Sequence, residues 1–352
     1  MTRHADRLSR AAAALLAAVN LLFLLGFIAA LLFATSRAGA EESCSGKDLV
    51  GAMATAEPAK LAAIRAEAAK TENGEGLLWR VEKAGIAPSH LFGTMHMSDP
   101  RVVDLPPPAE KAFGDAAVLI IETTDVLDPS KLTEIMATHP QLMMFTEGGS
   151  LPAMLTRGQR EAVDAGLKSR GMSLAALQKM KPWIVAALVS LPACELQRQA
   201  EGAPVLDVLL AQRAKERGIP VRGLEAAVDQ LEAMAALPMA FHLQGLVDTL
   251  ALGRGIDDVM ESMIVLYKAG EIAAVWPFFE ATLPAANGDE AGYAAFQETM
   301  IVSRNRTMAR EAAAELAKGG AFIAVGALHL PGAEGLVELL RRDGYTVTRA
   351  DL

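Results

Sequence analysis

Two histidines in this chain stand in the same local phrase. Leu91-Phe92-Gly93-Thr94-Met95-His96 and Phe322-Ile323-Ala324-Val325-Gly326-Ala327-Leu328-His329 each read as an apolar strand that runs into Gly-x-x-His and stops. A histidine just past the carboxyl end of a buried strand lies where open α/β sheets place their ligands. Gly93 and Gly326 permit the close turn that a site-facing side chain needs. A lone histidine is more often a structural hydrogen bonder, so the repeated setting is what singles these two out. His4, His90, His139 and His242 lack it.

Two carboxylates have a related setting. Glu122 follows the apolar run Ala117-Val118-Leu119-Ile120-Ile121, and Glu225 follows the shorter strand that begins at Pro220. If the strands are parallel, both acids emerge at the same sheet edge as the histidines. Either can instead act as a helix cap or first-turn acid, a reading with more weight for Glu225. Arg304 and Asn305 begin a helix before the last strand pair. The guanidinium suits a bidentate clamp on a carboxylate or oxyanion, or it is one of several solvated arginines with Arg306 and Arg310. Asp207 heads an amphipathic helix, where it complements the helix dipole.

Two imidazoles and a carboxylate, His96, His329 and Glu122, make a divalent-metal set able to activate water. The same groups can work without metal as general acid and base on an ester or amide. A non-catalytic envelope protein that holds a peptide or other ligand is a third use. The chain has no H-E-x-x-H, Walker loop, G-x-S-x-G or G-x-G-x-x-G, which argues against the usual zinc proteases, NTPases, α/β-hydrolases and dinucleotide enzymes.

The elements that must position these residues follow from pattern. Leu77–Val81 and His90–Thr94 form a hairpin, and Pro106-Pro107-Pro108 suits a helix entry. The continuous apolar run before Glu122 is a strand buried on both faces. Strand, helix and strand therefore follow one another as in a βαβ unit. Residues 132–317 are mainly helical, with Val205–Arg217 amphipathic, Pro220–Glu225 a short strand and Ser303–Ala317 a single helix. Ala321–Val325 is a strand, Ala333–Arg342 a helix and Tyr345–Arg349 the last strand. The expected fold is α/β, with a helical arm over 41–76 and a main domain over 77–352 that carries a large helical insert.

The N-terminal forty residues stand apart. Arg3, Arg7 and Arg10 precede an uncharged run over 11–35, and Ser36-Arg37-Ala38-Gly39-Ala40 carries small residues where a signal peptidase reads. Cleavage after Ala40 is the favoured reading; the run is also long enough to be a retained membrane tether. Both place the rest of the chain outside the cytoplasm. Two cysteines, Cys44 and Cys194, then allow one disulfide. A net charge of −9 without basic runs argues against nucleic acid as a partner.

Taken in order, these pieces resemble the TraB/GumN family, within the wider group of Tiki and erythromycin-esterase-like proteins. The matching pieces are L-F-G-T-M-H at 91–96, the strand closing on Glu122, Lys181-Pro182-Trp183 and the L-D-x-x-L helix from Leu206. Gly223-Leu224-Glu225, Arg304-Asn305-Arg306 and V-G-A-L-H-L-P-G at 325–332 complete the series. The resemblance implies two related α/β halves forming a mixed central sheet, with one site built from both Gly-x-x-His motifs and Glu122. It also implies a divalent metal held by His96, Glu122 and His329, with manganese, cobalt or zinc as candidates. Arg304 and Asn305 would line the site, with Glu225, Gly93 and Gly326 secondary to it. The implied activity is a periplasmic or membrane-tethered, peptidase-like hydrolase acting on a peptide or small-molecule substrate.

Overall fold

Alternation along the strands explains the layered core. In a computed structural model that describes Cys44 and residues 46–282 and 290–350, six strands form one sheet: β1 (Leu78–Glu82), β2 (Ser89–Thr94), β3 (Val118–Ile121), β4 (Val221–Gly223), β5 (Ala321–Gly326) and β6 (Thr346–Arg349). Their order across the sheet is β4-β3-β5-β2-β1-β6. Strands β2 to β5 run parallel, whereas β1 is antiparallel to β2 and to β6. The expected α/β fold and mixed central sheet are found. The signal-or-anchor segment 1–40 and the loop over 284–289 lie outside the described residues.

Successive side chains of a strand point to opposite faces, and both faces are covered here. Phe92, Leu119, Ile121, Phe322 and Ala324 pack on one side with α3 (Pro107–Gly114) and α5 (Leu206–Glu216). Phe322 meets Phe92 and Phe113 at ring-centroid distances of 5.8 and 5.6 Å. Leu91, Ile120, Ile323 and Val325 pack on the other side with α8 (Ser303–Leu316) and α9 (Leu336–Arg342). Two covered faces explain why β3 and β5 read as unbroken apolar runs.

Strand β5 enters the sheet between β2 and β3, although the intervening chain is long. The β2–α3–β3 crossover therefore skips one position, and the second Gly-x-x-His strand fills it. Gly93 is opposite Val325 and Thr94 opposite Gly326. Helix α9 begins at Leu336, later than the expected Ala333, because residues 330–335 make a tight turn. Gly332 there has a φ of +92° and donates its N–H to the Glu72 carbonyl.

The arm consists of α1 (Leu49–Ala56) and α2 (Pro58–Ala68), whose Val50, Met53, Leu61 and Ile64 are buried against Leu266 and Phe278. Leu266 belongs to α7 (Gly255–Lys268). Helices Arg157–Ser169, Pro182–Val189 and Met239–Ala251 bury Val163, Leu167, Val185, Val189, Leu246 and Leu250 in a cluster of their own. No helix among the described residues is long and apolar enough to cross a membrane.

Cys44, just before α1, forms a disulfide with Cys194 of α4 (Ala193–Ala200), the pairing expected from the sequence. Closing so long a loop restricts the unfolded chain. Replacing both cysteines with alanine is expected to lower unfolding stability by about 2–5 kcal/mol, read by urea denaturation, while the sheet's circular-dichroism signal is unchanged.

Candidate functional site

Each motif glycine is there for space. Neither Gly93 nor Gly326 has a left-handed backbone, so the close-turn expectation is corrected: the requirement is a missing side chain. A Cβ on Gly93 would come within 3.0 Å of Ala327 in the second motif. A Cβ on Gly326 would lie 3.2 Å from Glu122 Oε1, 3.5 Å from His329 Cδ2 and 3.7 Å from His96 Nε2. Gly326 is thus surrounded by the three residues singled out from sequence.

The parallel strands deliver those residues to one edge. His96 Nε2 and His329 Nε2 each lie 3.8 Å from the same oxygen, Glu122 Oε1. That distance is too long for a hydrogen bond. Gly326 donates its N–H to the same oxygen at 2.7 Å. The other carboxylate oxygen, Oε2, accepts from Arg304 Nη2 at 2.7 Å and Gln230 Nε2 at 3.3 Å. Gln230 lies on α6 (Ala227–Ala235).

The remaining ring nitrogens are tied down. His96 Nδ1 is 2.8 Å from Asp207 Oδ2, and the other oxygen of Asp207 accepts from Thr94 Oγ1 at 2.7 Å. A carboxylate can only accept, so His96 Nδ1 carries a proton. His329 Nδ1 is 2.7 Å from Asn305 Oδ1, and Asn305 Nδ2 donates to the Glu334 carbonyl at 2.8 Å. That second bond fixes the amide's orientation, so His329 Nδ1 also donates. Its Nε2 then faces Glu122.

Environment separates the two rings. The Asp207 carboxylate and hydrogen bond, aided by Glu122, outweigh desolvation and push His96 up to about 9. Burial instead drives His329 down to about 4. Burial works to raise Glu122, but His329, His96, Arg304 and the Gly326 N–H outweigh it and hold the carboxyl at about 2. Solvent reaches 58% of the His96 side chain but only 5% of His329.

Arg304, with its side chain 12% exposed, bridges Glu122 and Glu225. Its Nε bonds the two oxygens of Glu225 at 3.0 and 3.2 Å, Nη2 also reaches Glu225, and Nη1 donates to the Met300 carbonyl. Gln230 closes the cluster with a 2.8 Å bond to Glu225. Glu225 is therefore paired in the arginine cluster, and its cap reading gives way: the α6 N-cap residue is Ala226. Asp207 does lie in the first turn of α5, where an acid complements the helix dipole, and its carboxylate in addition bonds His96 and Thr94. Asp207, Thr94 and Gln230 were not singled out as site residues. The one sequence signal for Asp207 was its place in the L-D-x-x-L helix; nothing local says that the start of this helix meets the end of β2.

Among the described residues, no three His, Cys, Asp or Glu side chains close into a metal-holding group. The donor chemistry nevertheless suits a divalent ion: two Nε2 atoms and one carboxylate oxygen converge. Each ring is oriented through its other nitrogen by an outer partner, Asp207 or Asn305, as metal-ligating histidines are. A cavity of about 250 Å³ opens against the two imidazoles.

Proton positions follow from this geometry. In an NMR titration of metal-free protein, His96 is expected to stay protonated until about pH 9 and His329 to stay neutral down to about pH 4. Since its folded pKa is raised, the His96–Asp207 contribution to stability is complete below about pH 6.5 and lost as pH rises through about 9. Asp207→Asn should lower the His96 midpoint by more than one unit. Arg304→Met leaves two buried carboxylates without their shared cation and should cost about 3–5 kcal/mol in urea unfolding.

The TraB/PrgY/gumN family model matches residues 77–349. Among curated proteins, Metalloprotease TIKI2 of Danio rerio is 27% identical over 321 residues, covering 77% of this chain and 60% of the relative. Metalloprotease TIKI2 of Xenopus tropicalis is 26% identical over 322 residues, covering 78% and 60%. Metalloprotease TIKI1 of Homo sapiens is 26% identical over 319 residues, covering 78% and 61%. The aligned region spans about 60% of the length of these relatives. No solved structure matches significantly. With all six strands of its described sheet and both histidine motifs inside the matched region, the chain belongs to the TraB/PrgY/gumN family.

Proposed function

We propose that this chain is a divalent-metal-dependent hydrolase of peptide bonds that works outside the cytoplasm. The observation that carries the reading is the convergence of His96 Nε2 and His329 Nε2 on Glu122 Oε1, with both Nδ1 atoms tied to acceptors. His96, His329 and Glu122 would hold the ion; zinc, manganese and cobalt all accept such a nitrogen-and-oxygen set. When bound, the ion supplies Lewis-acid polarisation of a carbonyl and a water of lowered pKa.

The chain's own groups prepare that site. Asp207 and Asn305 hold the imidazoles in orientation, and the neutral His329 presents Nε2 without first losing a proton. His96 would serve as a ligand only with its Nε2 deprotonated, while its Nδ1 keeps the proton shared with Asp207. Glu122, kept anionic by Arg304, Gln230 and the Gly326 N–H, is a weak base. This favours its role as ligand over general base, whose best pKa lies near the working pH. Arg304 binds the carboxylates of Glu122 and Glu225, so its part in this reading is to keep Glu122 ionised and in place.

The three relatives described as metalloproteases support the peptide-bond reading. The Cys44–Cys194 bridge and the basic-then-apolar N-terminus support export to an oxidising compartment. We place the protein in the periplasm or tethered to the outer face of the inner membrane.

One observation favours a second reading, a metal-free esterase- or amidase-like hydrolase. The imidazole midpoints are pushed far apart, a pattern that assigns acid and base roles at pH 7. Metal analysis and chelation decide between the two. The purified protein is expected to carry one divalent ion, to lose it in the His96→Ala/His329→Ala double variant, and to stop cleaving peptides in chelator. Full metal retention in that variant, or undiminished cleavage in chelator, would overturn the metal reading.

A further inference from the structure

We infer that the cavity beside the two histidines is a subsite for one large apolar side chain of an extended peptide, next to the bond that is cut. This rests on the peptidase reading above. His96 and His329 form one wall, and Met263, Ile272, Val275, Ile301 and Leu328 are among the apolar residues that line the rest. No Asp, Glu, Lys or Arg lines it among the described residues. Its other polar groups are already committed: Thr94 Oγ1 donates to Asp207, and the Tyr267 hydroxyl donates to the Gly93 carbonyl at 3.0 Å. An apolar side chain entering this space gains by leaving water. A charged one would lose hydration, and the imidazole of His96 on the wall is already paired with Asp207 and faces Glu122.

Size and continuity point to part of a longer substrate. At about 250 Å³, the cavity is smaller than the roughly 300–1,000 Å³ of pockets that enclose whole drug-sized ligands. Ile272, Ile301 and Leu328 also border a neighbouring cavity of about 460 Å³, whose wall includes Trp276, Phe296 and Asn305. A peptide with one side chain in the first cavity can therefore continue along the second. The position of Ile301 depends on a π-helical stretch, Gln297–Val302, that leads directly into α8. Such widened turns recur at functional sites. Here the same stretch supplies Ile301 to the cavity and is followed at once by Arg304 on the two carboxylates.

The test separates binding from cleavage. The purified chain, methyl-labelled at Met and Ile and kept in chelator, is titrated by NMR with acetyl-Gly-Leu-Gly-Gly-amide and acetyl-Gly-Asp-Gly-Gly-amide. The leucine peptide should shift the Met263 and Ile301 methyl signals and bind at least about tenfold more tightly than the aspartate peptide. Ile301→Asn should remove most of that preference while leaving the His329 titration unchanged. Equal binding of the two peptides, or no shift at those methyls, would overturn the subsite. With metal present, cuts in a mixed peptide library should carry Leu, Ile, Val, Met or Phe at one fixed position beside the cut; cuts lacking that enrichment also overturn it. Methyl shifts without any cutting would sink the peptidase reading and leave the apolar subsite standing.

Discussion

The parallel pairing of β2 with β5 is the constraint around which the rest is arranged. It sets Thr94 opposite Gly326 and Gly93 opposite Val325, so both strands end at one level and their histidine turns share a sheet edge. Gly93 lets the second motif's turn lie against the first, and Gly326 lets Glu122 approach from β3. A one-residue slip would send alternate side chains to the opposite face. Because β5 is apolar on both faces, side-chain shape holds the register: Phe322 packs with Phe92 and Phe113, and Gly93 lies against Ala327.

Around that edge the protein gathers more charge than a core normally tolerates. Glu122 and Glu225 are nearly buried, and Arg304 between them is nearly so. Burying such groups is unfavourable unless each is paired and hydrogen-bonded. The Gly326 N–H, Gln230 and the Met300 carbonyl complete the pairing. One result is a carboxylate that stays ionised in the interior. Another is that α8, α6 and the ends of β3 and β4 are held together by the site's own electrostatics. The two imidazoles, similar in sequence context, diverge because one meets a carboxylate and solvent while the other meets an amide and the core.

Much of the local structure was legible. Continuous apolar runs marked β3 and β5, the proline entry marked α3, and the amphipathic pattern marked α5 within a residue or two. The repeated Gly-x-x-His and the strand-end Glu122 pointed to residues that the fold brings together. Less legible was anything that depended on packing between distant elements. Asp207 looked like a helix-end acid because its partner, His96, belongs to another element. Glu225 had a plausible local role for the same reason. Gln230 and Thr94 had no distinguishing local pattern.

The sequence by itself determined the alternation of apolar strands and helices, the two histidine turns and the acids that follow strands, because period, turn residues and caps are local properties. Only the tertiary structure decided that β5 lies between β2 and β3, since strand order depends on how long connections cross the sheet. It alone decided which group each Nδ1 meets, because Asp207 and Asn305 arrive on α5 and α8. Burial and distance then separated the two imidazoles, and neither can be read from spacing along the chain.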